Sequence, residues 1–140
     1  MKIVKVAGDA WRWSFSEVAH KAVFGKLKPA ERDRIDFAYL FVKPETDKPI
    51  GYVTCRETDS ETLYWQYGGI LEAYRNSVVG LRVVKAALEK CLEDYQRVHC
   101  LIENTNRPML GLALKSGMKI TGLRTYGNSV LLEHVKERGE

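Results

Sequence analysis

Cysteine, histidine and long apolar runs are scarce in this 140-residue chain, and each scarcity closes off a class of protein. The three cysteines, Cys55, Cys91 and Cys100, are odd in number and contain no C-x-x-C spacing. That argues against a disulfide framework and against a structural zinc site. His20, His99 and His134 fall on separate predicted elements without ligand spacing, so no metal is expected. The longest apolar runs, such as Phe37 to Val42, are far too short to cross a bilayer, which takes about 20 residues. Met1-Lys2-Ile3-Val4-Lys5 lacks the apolar core of a signal peptide, so a cytoplasmic location with reduced thiols and no membrane partner is expected. A single domain over residues 1–140 suits the length, and 45% apolar with 29% charged residues is a globular balance. The net charge of +4 favours anionic ligands mildly. No basic run exceeds two residues and no stacking-aromatic motif stands out, so nucleic acid is not an expected partner.

What is present is punctuated periodicity. Lys2 to Val6 predicts a short strand. Ser14-Phe15-Ser16-Glu17 is a capping box ahead of helical spacing that stops at Gly25, and Pro29 starts a second helix through Ile35. Phe37 to Val42 and Ile50 to Arg56 are rich in β-formers and joined by the turn-like Lys43-Pro44-Glu45-Thr46-Asp47-Lys48-Pro49, which predicts a hairpin. A third strand follows over Thr62 to Tyr67, with Leu63, Trp65 and Tyr67 on one face and Tyr64 and Gln66 on the other. The helix from about Ser77 to Tyr95 shows an apolar stripe at Leu81, Val84, Leu88, Cys91, Leu92 and Tyr95. Val98 to Ile102 reads as a buried strand. Asn106, Pro108 and Gly117 bracket a helix over Arg107 to Ser116. Met118 to Leu123 and Val130 to Val135 close the chain across Tyr126-Gly127-Asn128. The class is therefore α+β around one mixed sheet.

The informative stretch runs from Tyr64 to Met118. A strand ends in Gly68-Gly69-Ile70-Leu71-Glu72-Ala73-Tyr74, and Arg75-Asn76-Ser77-Val78-Val79-Gly80 opens a helix. Such a loop turns several backbone N–H groups and the positive end of the helix dipole into one small volume, an anion site suited to a pyrophosphate. This order of parts resembles the GNAT N-acyltransferase superfamily. The resemblance covers most of the chain and implies a mixed, mostly antiparallel sheet flanked by about four helices, with acetyl-CoA as cosubstrate. The family's loop motif is Gln or Arg, two residues, Gly, one residue, then Gly or Ala. Arg75 and Gly80 match its ends, and Val78 replaces its middle glycine. By this resemblance Ile70 and Leu71 pair with the pantetheine arm, and Arg75, Asn76, Ser77, Val78, Val79 and Gly80 hold the phosphates. Asn106, followed eleven residues later by Gly117-Met118, matches the second motif and also belongs to the cofactor site; helix capping alone would explain the same residues. The closing segment from Gly117 to Val135 is also loosely similar to small GNAT-like proteins encoded by bacteriophages.

The catalytic residues are unknown. Where the family has a carboxylate base on the third strand this chain has Tyr64, a phenol whose unperturbed pKa near 10 makes it a poor base. Where the family has a tyrosine that protonates the leaving thiolate it has Ala113. Two functions stay open. One is N-acetyl transfer from acetyl-CoA to a primary amine on a small molecule or protein, by direct attack, with a rate that climbs steeply with pH. The other is a GNAT-fold module that binds coenzyme A or assembles with partners without transfer. A homodimer is compatible with either.

Overall fold

The computed structural model describes residues 1–8, 34–75 and 78–140. Seven strands, β1 (Lys2–Ala7), β2 (Phe37–Val42), β3 (Pro49–Glu57), β4 (Thr62–Ile70), β5 (Arg97–Glu103), β6 (Lys119–Tyr126) and β7 (Ser129–Glu137), form one sheet in the order β1-β2-β3-β4-β5-β7-β6. Pairing is antiparallel for β1–β2, β2–β3, β5–β7 and β6–β7 and parallel for β4–β5. The α+β class and the mostly antiparallel sheet follow the sequence expectation. The expected number of helices does not. The described residues hold two α-helices, α1 (Val78–Asp94) and α2 (Arg107–Lys115), and a 3-10 turn at Glu72–Tyr74. The helices expected from Ser14 and from Pro29 fall almost entirely outside the described residues. Arg34 and Ile35, expected to close the second, are not helical. By Asp36 the chain has already joined the sheet, donating its N–H to Cys55 O at 3.0 Å and accepting from Gly8 N at 3.0 Å.

The described residues divide into two compact units. The first comprises Met1–Arg56 with Gln66–Arg75. Its center is β2, all six residues of which are buried. That is why Phe37–Val42 reads as an unbroken apolar run rather than an alternation. Ala38, Leu40 and Val42 pack with Tyr52, and Val4, Val6, Ile35, Tyr67 and Leu71 border the cluster. β3 comes close to the end of β4, since a Cβ on Gly51 would lie 2.5 Å from Gly69 O. Glycine at 51 is therefore a steric requirement.

The second unit comprises Glu57–Trp65 with Asn76–Glu140. The buried stripe of α1 is Gly80, Val83, Val84, Ala87, Leu88 and Cys91. It is turned from the expected one: Leu81 and Leu92 are half-buried, while Val83 and Ala87 replace them. Gly80 faces Leu112 of α2, whose methyls would sit at ordinary contact distance, 3.6 and 3.8 Å, from an added Cβ. β7 lies between β5 and β6, and Cys100 faces His134 across it.

Candidate functional site

Gly68 and Gly69 do not end β4. The strand continues to Ile70, three residues beyond the expected boundary. A glycine pair reads as a break in sequence, but here it carries a strand close to the neighbouring backbone, with Gly68 near Tyr52 O as Gly69 is near Gly51. Leu71 N donates to Ile50 O at 2.8 Å, so the Leu71 N–H is spent toward β3. Strand alternation then turns the main chain of Ile70 toward the opposite edge. On that edge the Ile70 carbonyl accepts from Arg75 Nε at 2.8 Å. Tyr74 N to Leu71 O and Arg75 N to Glu72 O close the 3-10 turn between them. The structure thus brings Ile70, Leu71 and Arg75 together in the first unit, with Arg75 folded back on the strand end.

Asn76 and Ser77 lie outside the described residues. The next expected residues open α1 in the second unit. Val78 is 68% exposed, Val79 is half-buried and Gly80 is buried. Among the described residues the first turn of α1 holds no acidic residue, so no carboxylate of that turn offsets the partial positive charge of the helix start. Asn106 is the N-cap of α2, its Oδ1 accepting from Met109 N at 3.3 Å, with Pro108 in the first turn. Its carbonyl oxygen is committed to capping, while the amide N–H pair is not needed for that bond.

Ala113 is fully buried. Its carbonyl accepts from Met118 N and from Ser116 Oγ at 3.0 and 2.7 Å, which closes α2 ahead of Gly117 at φ +99°. A tyrosine at 113 would therefore have to displace packed neighbours. Tyr64 stands in register with His99 on the parallel β4–β5 ladder, which covers Thr62–Trp65 against Arg97–Cys100. Their rings lie 4.9 Å apart at 37°. This contact joins residues 35 apart in the chain, and sequence spacing carries no sign of it.

The cysteines are inert. Cys55, Cys91 and Cys100 are buried, and burial pushes the Cys100 thiol up to about 12. Alternation along β5 buries Cys100 while leaving His99 partly open, as expected for strand neighbours. His134 is fully buried, its Nδ1 3.0 Å from Leu132 O. Among the described residues no three His, Cys, Asp or Glu side chains gather as metal ligands, and no helix is long and apolar enough to cross a membrane.

Comparisons with known proteins bear on this arrangement. Residues 4–118 match the model of the acetyltransferase (GNAT) family. Among solved structures, the chain is similar to an IAA acetyltransferase from Bacillus cereus, with a TM-score of 0.75 and 14% identity over 97% of this chain and 98% of that one. It is also similar to a GNAT family acetyltransferase from Elizabethkingia anophelis with acetyl-CoA bound, with a TM-score of 0.62 and 20% identity over 72% of this chain and 75% of that one. A third likeness is to mutant forms of a spermidine/spermine N-acetyltransferase from Vibrio cholerae, with a TM-score of 0.72 and 9% identity over 98% and 94%. A search of the curated proteins gives no significant match. At these identities the solved structures speak for the fold, and the family match, spanning most of the chain, adds the lineage: the chain belongs to the acetyltransferase (GNAT) family.

Proposed function

We propose that this protein is an acetyl-CoA-dependent N-acetyltransferase, acting as one domain over residues 1–140 in the cytoplasm and transferring acetyl to a primary amine by direct attack. The observation that carries the reading is the start of α1, an acid-free first turn with exposed Val78 ahead of buried Gly80, following the strand end at Ile70. Helix starts of this kind hold pyrophosphates through main-chain donors and the helix dipole. The cofactor-binding set is Ile70, Leu71, Arg75, Asn76, Ser77, Val78, Val79, Gly80 and Asn106. Of these, Ile70 can pair with the pantetheine arm, since its main chain points away from the edge that Leu71 spends on β3. Transfer joins the amine nitrogen to the acyl carbon as the C–S bond breaks. Holding both reactants in place supplies much of the rate.

The buried Ala113 favours a second reading, in which the fold binds coenzyme A or a partner without transfer. One experiment separates the two. Acetyl-CoA at a hundredfold over its Kd should stabilise the fold by about 2.7 kcal/mol, seen as a rise in melting temperature of several degrees. Release of coenzyme A thiol on adding spermidine or a lysine peptide should then report transfer. Binding without thiol release supports the second reading; absence of any thermal shift at millimolar acetyl-CoA removes both coenzyme readings.

A further inference from the structure

We propose that Arg75 sets a preference for coenzyme A over phosphate-free pantetheine thioesters by exchanging one hydrogen-bond partner for another. The assignment rests on the transferase reading above, in which Ile70 pairs with the pantetheine arm.

The ladder of β4 with β5 covers only Thr62 to Trp65, while β4 runs on to Ile70. A strand edge of this kind takes an extended ligand through its main-chain groups. At its far end the acceptor is already taken. The Ile70 carbonyl accepts from Arg75 Nε at 2.8 Å, the separation that a neighbouring strand's N–H would have. A carbonyl keeps a second lone pair, but a planar guanidinium so close fills the lane, about 4.8 Å wide, that an adjacent chain needs. The pantetheine arm and the Arg75 side chain therefore compete for one place.

The tie is local. Tyr74 N to Leu71 O at 2.9 Å and Arg75 N to Glu72 O at 3.2 Å close the turn that brings the side chain back to the strand. Both partners belong to the first unit. Among the described residues the guanidinium has no carboxylate partner. The same holds for the Lys43 ammonium, which stands 5.1 Å from the center of the Tyr74 ring. Glu72 is the acidic residue of the turn. Two cations against one carboxylate draw a phosphate to this place.

Bond strengths then decide the exchange. Leaving Ile70 costs Arg75 one hydrogen bond to a neutral carbonyl. A phosphate oxygen returns a bond between two charged groups, about twice as strong, and holds the guanidinium off the strand. Coenzyme A brings phosphates and arm together, so its arm meets a vacated edge. A pantetheine thioester without phosphates must displace Arg75 with nothing in return.

The test compares dissociation constants for acetyl-CoA and acetyl-pantetheine in the wild type and in Arg75→Met, which keeps an unbranched stem without donors. Acetyl-CoA should bind the variant about tenfold more weakly, having lost a charged partner. Acetyl-pantetheine should bind it about threefold more tightly, because no hydrogen bond has to be broken first. Opposite signs are the signature: a residue that only touches phosphate, or only braces the loop, cannot improve a ligand without phosphate. A loss for both ligands, or no change in either, overturns the exchange. A second measurement needs no variant. In the wild type, millimolar inorganic pyrophosphate should tighten acetyl-pantetheine severalfold, and acetyl-pantetheine should tighten pyrophosphate by the same factor. Independent or mutually weakened binding overturns the proposal whether or not Arg75→Met folds. A wild type that binds no acetyl-CoA overturns the transferase reading as well, whereas acetyl-CoA binding without this coupling leaves that reading standing.

Discussion

At the scale of the residue, Val78 and Gly80 play opposite parts although both belong to one motif. Val78 stands 68% exposed at the first position of α1, where the family's loop motif has a glycine without a side chain. Val78→Gly should tighten coenzyme A binding severalfold in calorimetry and cost less than the roughly 1 kcal/mol of a mid-helix glycine. Unchanged or weaker affinity in a folded variant would clear the valine of blame. Gly80 faces Leu112 with room for a methyl at ordinary contact distance, 3.6 Å. The space there would admit an alanine. The base and acid positions were partly legible in the sequence: it showed that Tyr64 and Ala113 lacked the needed chemistry. It did not show the Tyr64–His99 ring contact, because a contact across a parallel ladder depends on a register fixed only by the whole β4–α1–β5 crossover.

At the scale of the element, α1 ends with a device supplied from far along the chain. Its last turn contains no basic residue. Arg138 fills that role, donating Nε to Leu92 O at 2.7 Å and Nη2 to Glu93 O and Tyr95 O at 3.4 and 3.0 Å, while its own N–H bonds Gln96 O. A cation at the negative end of a helix that also satisfies its last carbonyls is stabilising on both counts. Arg138→Ala should lower the unfolding free energy by about 1–2 kcal/mol in urea titration. Arg138→Lys should recover only part of this, since an ammonium cannot fork across three carbonyls. Strand and helix identities were readable because alternation and helical spacing are local signals. The strand ends were not: β4 runs through Gly68-Gly69 because Gly51 makes room for it, and no local pattern reports a partner that far away.

At the scale of the molecule, buried acids set the response to alkali. Burial, then the neighbouring Tyr67, raises the Tyr52 phenol above its ordinary 10.0, and burial raises the Cys100 thiol to about 12 from an ordinary 9.0. Each must stay protonated while folded. Each group's folded value lies above its unfolded one, so its contribution is fully present below pH 9 and is lost as pH rises from there. Denaturation midpoints should fall between pH 9 and 11, and Cys100→Ala, judged against its own neutral-pH stability, should blunt the fall. A midpoint flat across that range contradicts the burial of both groups.

The place of β7 has a consequence for synthesis. A nascent chain that has reached Asn128 holds β5 and β6 but not the strand between them. Its β5 then presents an unpaired edge lined by Val98, Cys100 and Ile102, the apolar residues that the folded sheet buries. Open apolar edges of this kind recruit other chains. A chain truncated after Asn128 should therefore aggregate where residues 1–140 do not, as light scattering at matched concentration would show.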